Sequence, residues 1–335
     1  MRKYFINVQG GTGLHVALAS VLTQIKSKHD DAYFAVMSPY SDIFECCKAV
    51  DAVYKPNEAR DFIFDAYKED AKLVMNRLYD MDGFIKKRLN YESAWYELLG
   101  FDYDTDCKDG MNVTASFDTS KFRQAENAAN IWKQIKSTFK DFIIVQFTGG
   151  QSPLVQVPPT ADNKPDWSKV PYNYDNEPLK RHYPIEKAQE FCDLFAKEHP
   201  NTAIIAFQLP NEPTPNNDHI VRFTAPYLTY YELAKLPECV GVVAIDSSLQ
   251  HLCAGVTKEV IIWGHSSLDE TKDENQCLLP FGYNYNCNII QKCRRDDILF
   301  FSMLGPSGAR ITYIEPKELL VKVDEWLYDK RKVNE

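Results

Sequence analysis

The chain has 335 residues, 44% of them hydrophobic and 25% charged, which is material for about two packed domains. Its net charge of −9 argues against a duplex-binding protein, since such proteins carry a basic stripe that displaces counterions. No apolar run approaches the ~20 residues that span a bilayer, so membrane insertion is not expected. The opening segment, Met1 to Gln9, meets glycines too soon for a signal peptide, and we expect a cytoplasmic protein. Nine cysteines are scattered without ligand spacing and read as reduced structural thiols, so no metal site is predicted. The basic clusters Lys86-Lys87-Arg88 and Lys292 to Arg295 are short enough to be solvated faces.

Along the chain, Tyr4 to Val8 predicts a strand, Gly10 to Gly13 a turn, and Leu14 to Ile25 an apolar-striped helix. Tyr33 to Met37 predicts a second strand, Ser41 to Val50 a helix with Ser41 at its N-cap, and Ala52 to Tyr54 a third strand. This alternation implies a parallel sheet with helical crossovers. Helical spacing is read over Ala71 to Leu78, Gly83 to Leu99 and, as one long amphipathic helix, Ser120 to Phe139. Phe142 to Gln146 is a continuous buried-strand run that ends at Thr148-Gly-Gly150, repeating the strand-then-glycine layout of the N-terminus.

Gln151 to Leu179 is rich in proline and without periodicity, which suggests a functional loop or lid. Its aromatics Trp167, Tyr172 and Tyr174, with Tyr283 and Tyr285 downstream, could stack on a base or sugar or simply pack. A second alternating series follows: helix 185–197, strands 202–208 and 219–223, helix 229–236, strand 241–245, helix 248–255 and strand 259–263. A final helix runs from Pro316 to about Lys330. We expect domains at 1–140 and 141–315, with 316–335 a terminal helix able to pack back on the first. Ligands of such sheets sit beyond the carboxyl ends of the strands.

The motifs lie at those ends. Gly10, Gly11, Thr12 and Gly13 form a strand-to-helix turn suited to an anion or polar reactant. The turn is not a dinucleotide fingerprint: Val16 stands where GxGxxG needs glycine, and no acidic residue ends the second strand. His15, just past the turn, could take a proton from an acceptor hydroxyl or be a hydrogen-bonded helix-start histidine. Asp246, Ser247, Ser248 and His251 follow the apolar strand 240–245 and open a helix. Carboxylate and hydroxyls there suit a diphosphate or a sugar hydroxyl, and Asp246 or Ser247 also serves as a cap. Lys180 and Arg181 could meet phosphate, and Gln208 to Glu212 ends a strand with a carboxylate suited to a ribose diol.

These residues resemble glycosyltransferase family 9, known for its lipopolysaccharide heptosyltransferases, and look closest to a divergent bacteriophage-type branch. The resemblance rests on Gly10 to Ala19, and on Asp246 to Ala254 followed by strand 260–263 and Gly264. It implies an α/β GT-B fold of two Rossmann-like domains with parallel sheets facing a cleft. Acceptor would bind mainly in the N-terminal domain and a nucleotide-diphosphate sugar in the C-terminal one. It further implies an inverting transfer to a hydroxyl acceptor, with no cofactor and no metal. Asp246, Ser247, Ser248 and His251 would then hold the donor's sugar and diphosphate, Lys180 or Arg181 the phosphate, and Glu212 the ribose.

Two positions depart from the family. Leu14 replaces the aspartate expected after the first loop, which leaves His15 as the base, with Asp80 or Asp82 behind it. Ser248 replaces a glycine and narrows the approach to phosphate. The acceptor could be a glycan or, in a viral host's cytoplasm, a hydroxymethylated nucleobase of phage DNA. Alternatives are a nucleotide-sugar-binding protein without turnover and an NAD(P)-dependent enzyme.

Overall fold

A computed structural model describes residues 2–75, 91–107, 115–149, 182–208, 212–245, 247–263, 287–290, 292–293, 301–302, 305–306 and 311–329. The chain forms two compact units, one built on Met1–Arg123 and the other beginning at Gln124.

In the first unit, β1 (Arg2–Asn7) leads to α1 (Thr12–Lys28), β2 (Ala32–Met37), α2 (Ser41–Cys46) and β3 (Ala52–Tyr54). Then come α3 (Ala59–Lys68), β4 (Lys72–Val74), α4 (Tyr91–Leu99) and α5 (Tyr103–Asp106). The described strands form one parallel sheet in the order β3-β2-β1-β4. Tyr4, Phe5 and Ile6 are all buried, as expected of a central strand covered on both faces. From α3, Phe62 and Ala66 lie one turn apart and pack with Phe5, Ala35 and Met37.

Two expectations need correction here. The helix read over Ala71 to Leu78 is instead the edge strand β4 at Lys72–Val74, parallel to β1. Beforehand α3 ends: Asp70 takes φ +49° and the Ala71 N–H donates to the Ala66 carbonyl, turning the chain back to the sheet edge. Ser41 is the first residue of α2 rather than its cap, and the helix stops at Cys46 instead of Val50. The cap position falls to Tyr40, whose own N–H donates to Ser38 Oγ at 2.9 Å.

The second unit comprises α6 (Gln124–Ile135), β5 (Asp141–Gln146), α7 (Ile185–Glu198), β6 (Thr202–Ala206), β7 (Ile220–Arg222) and α8 (Tyr227–Ala234). It continues with β8 (Cys239–Ile245), α9 (Ser248–Cys253), β9 (Glu259–Trp263), β10 (Cys287–Ile290) and α10 (Pro316–Leu327). Its parallel sheet runs β10-β9-β8-β5-β6-β7. The long helix expected over Ser120 to Phe139 is broken. A 3-10 turn at Thr119–Phe122 ends in Arg123 at φ +56°, and only then does α6 begin. A left-handed residue cannot continue an α-helix, and the division between the units falls at this break.

The core of the second unit joins Ile143, Val145, Val243, Ile245 and Ile262 of the sheet to Phe191 and Phe195 of α7. Leu319, Val323 and Leu327 of α10 complete it, so this helix packs within the second unit. Among the described residues, no helix is long and apolar enough to cross a membrane.

Candidate functional site

In the second sheet β5 has β6 on one side and β8 on the other. The chain therefore leaves β5 in one direction and returns on the opposite side, which makes the carboxyl ends of β5 and β8 a topological switch point. Gln146 ends β5 there, and Ser247 follows β8 by two residues. The Gln146 side chain bridges the two ends. Its Oε1 accepts from Ser247 Oγ and, at 3.3 Å, from the Leu249 N–H, while its Nε2 donates to the Thr148 carbonyl at 3.1 Å. Gln146 and Ser247 are buried, and Ser248 is half-buried.

Ser247 does occupy the N-cap position of α9, with extended backbone, but its hydroxyl makes no cap bond. The cap oxygen for Leu249 comes from Gln146, across the sheet. His251 is buried at 3% exposure, its Nε2 lying 3.5 Å from Gln250 Nε2.

His182, which sequence reading passed over, also reaches this end. Its Nδ1 accepts from the Gly149 N–H at 3.0 Å, so the proton of the neutral ring sits on Nε2. The Tyr183 N–H donates to the Phe147 carbonyl at 2.9 Å, which runs this segment alongside residues 147–149. Gln208 (half-buried) and Glu212 (6% exposed) follow β6, the neighbouring strand, and Thr214 Oγ1 donates to the Glu212 carbonyl at 3.2 Å. Asp246, Lys180, Arg181, Gly264, Asp80 and Asp82 lie outside the described residues, as do residues 151–179 and the charged clusters at 86–88 and 294–295.

In the first unit β1 is flanked by β2 and β4, and its carboxyl end runs into the glycine turn. Gly10 has φ +114°, and a Cβ there would lie 2.5 Å from Leu14 Cδ1. Gly11 is the N-cap of α1, with ordinary φ −79° and nothing within 4 Å of an added Cβ. Thr12 and Gly13 form the first helical turn and are half-buried. No residue of that turn is acidic.

His15 is fully buried, at 0% exposure, with its Nδ1 2.9 Å from the Gly11 carbonyl and its ring edge-on to Tyr40 at 4.8 Å. Nδ1 donates to that carbonyl, which leaves Nε2 as the lone-pair atom. Nε2 makes no hydrogen bond within the described residues. Burial pushes the imidazole below its usual value, and backbone groups of Gly11 and Val8 oppose the shift. The ring is tied to the glycine turn through Gly11, without solvent contact in this conformation.

No family model and no curated protein matches this sequence. Solved structures do. A glycosyl transferase family 9 protein from Veillonella parvula DSM 2008 superposes with a TM-score of 0.59 at 10% identity, covering 98% of each chain. E. coli ADP-heptose lps heptosyltransferase II gives 0.57 at 12% identity, covering 98% of this chain and 99% of that one.

The fold is GT-B.

At such low identity the likeness concerns the fold. Within this GT-B chain, the β5–β8 switch point of the second unit and the glycine turn of the first are two places, among the described residues, where polar groups collect at strand ends.

Proposed function

We propose that the chain is an inverting glycosyltransferase that uses a nucleotide-diphosphate sugar, bound at the β5–β8 switch point, and a hydroxyl acceptor. The observation that carries this reading is the GT-B fold together with the polar bridge from Gln146 to the Ser247 loop. Asp246 adjoins that loop in sequence and is the residue we assign to the donor sugar. Ser248, Lys180 and Arg181 would meet the diphosphate and Glu212 the ribose. As the glycosidic bond breaks, negative charge grows on the leaving diphosphate, and donors already aimed at it lower the barrier without a metal ion. Exclusion of water would protect the donor from hydrolysis.

Deprotonation of the acceptor falls to a group in the first unit. The burial of His15, and its bond to the Gly11 carbonyl, favour a supporting role for it and leave Asp80 or Asp82 as the base. The acceptor is a hydroxyl of a glycan or a nucleobase.

The test is a thermal-shift and hydrolysis panel of ADP-, GDP- and UDP-sugars with NAD(P)H, on wild type and Asp246→Ala. ADP-heptose, the donor named for the E. coli relative, belongs in it. A ligand at ~100 times its Kd stabilises by about 2.7 kcal/mol, enough to detect. The expected result is stabilisation of wild type by one nucleotide sugar, its loss in Asp246→Ala, and release of nucleotide by wild type alone. Stabilisation without nucleotide release, even with candidate acceptors, would mean a binding protein. A shift by NAD(P)H alone would sink the transferase reading.

A further inference from the structure

We propose that Gln146 is a positioning residue of the donor site, holding Ser247 and the start of α9 without touching the ligand; this rests on the donor reading above. Gln146 is 4% exposed at the end of β5, so a ligand outside the strand ends meets the loop before it meets this side chain. All three of its bonds are intramolecular, and they fix its orientation. Turning the amide over would set NH2 against the Leu249 N–H and oxygen against the Thr148 carbonyl. Oε1 therefore faces Ser247 as an acceptor, and the single proton of the Ser247 hydroxyl is committed to it.

The arrangement is more than a cap. A helix can be capped by its own N-cap serine, yet here the oxygen is supplied by a strand about a hundred residues earlier in the chain. Loop and sheet are thereby coupled: Ile245 is fixed in β8 with no exposure, and Ser247 is fixed on β5. Of the two serines after Asp246, Ser247 serves the protein, and the half-buried Ser248 is left for the ligand.

A double-mutant cycle tests this, read as the Kd of whichever nucleotide sugar of the panel binds wild type, beside Tm. Gln146→Met keeps the shape of the side chain and removes its acceptor and donor. Displacing a positioned group by a fraction of an ångström costs on the order of tenfold, so Gln146→Met and Ser247→Ala are each expected to bind about tenfold more weakly. The double variant should bind no more weakly than the worse single one, because both changes open the same bond. Ser247→Thr keeps the hydroxyl and should restore wild-type affinity. That comparison carries the test if Gln146→Met does not fold.

Losses that multiply in the double variant would mean that Ser247 meets the ligand itself, and would overturn the proposal. Lowered Tm with unchanged Kd would overturn it too, by making Gln146 merely structural. If wild type binds none of the sugars, the donor reading fails first and this proposal goes with it.

Discussion

The glycine turn separates two uses of the same residue. Gly10 needs its left-handed backbone, so Gly10→Ala should lose on the order of 1–3 kcal/mol in urea unfolding. Gly11 needs nothing of the kind: its φ is ordinary and its Cβ position is open. Gly11→Ala should shift stability by no more than ~1 kcal/mol, since the stiffer unfolded chain is offset by alanine's poor N-cap preference, while lowering kcat/KM if substrate approaches this backbone as the proposed function requires. A fully active Gly11→Ala would show that nothing comes close to that backbone. Gly10 and Gly11 were legible from sequence as a turn, whereas Gly13, read as part of it, belongs to α1. Which of Gly10 and Gly11 the chain needs for itself was not legible, because that depends on φ and on Leu14.

His15 makes a pH prediction at the same scale. Its folded value lies below the usual 6.5, chiefly through burial. As pH falls through about 6.5, the unfolded chain binds a proton that the folded chain does not. The stability contributed by the neutral ring is therefore present above that pH and is lost as pH falls toward the folded value. Between about pH 7 and pH 5, the Tm of wild type should fall more steeply than that of His15→Asn, which cannot titrate. Parallel slopes would mean that the ring is not held neutral in the folded state. Sequence placed His15 beside the turn correctly but could not see Tyr40 closing over it.

At the level of elements, the parallel strands were readable because β-branched and aromatic runs such as Phe142 to Val145 admit little else. The failures have separate causes. Lys72–Val74, three residues inside a stretch with helical spacing, instead pairs in parallel with β1 at the edge of the sheet. The long helix over residues 120–139 has sound periodicity but is broken by the left-handed backbone at Arg123 and ends at Ile135 rather than Phe139. The Gln146 bridge was invisible for a different reason: its partners, Ser247 and Leu249, are far away in sequence.

Close packing between elements gives its own test. A Cβ at Gly241 in β8 would lie 2.5 Å from Leu327 Cδ2 and 2.6 Å from the Lys258 carbonyl. The leucine could turn aside, but the carbonyl is backbone. Gly241→Ala should therefore cost about 1–3 kcal/mol, and Leu327→Ala should not relieve it. Stability measured by urea denaturation decides the point: a rescue would place the whole clash on the leucine.

For the molecule as a whole, the two units invite separate accounting. Removing residues 316 onward takes Leu319, Val323 and Leu327 out of the second core. At roughly 2 kcal/mol per buried side chain, the loss is about 6 kcal/mol, against a typical domain stability of about 5–15 kcal/mol. Calorimetry of the truncated chain should show the transition of the second unit lost or much lowered and that of the first unit retained. Two intact transitions would show that α10 is dispensable.

That helix has a consequence during synthesis. Ribosomes deliver Met1–Arg123 first, and its sheet can form while the remainder is still being translated. The second sheet cannot be sealed until Leu327 has emerged, although β5 was made almost two hundred residues earlier. At about 5–20 residues per second, the nascent second unit leaves Ile143, Val243 and Ile262 without their cover from α10 for many seconds. The half of the protein proposed as the donor unit is thus the half whose core waits longest for its cover during synthesis.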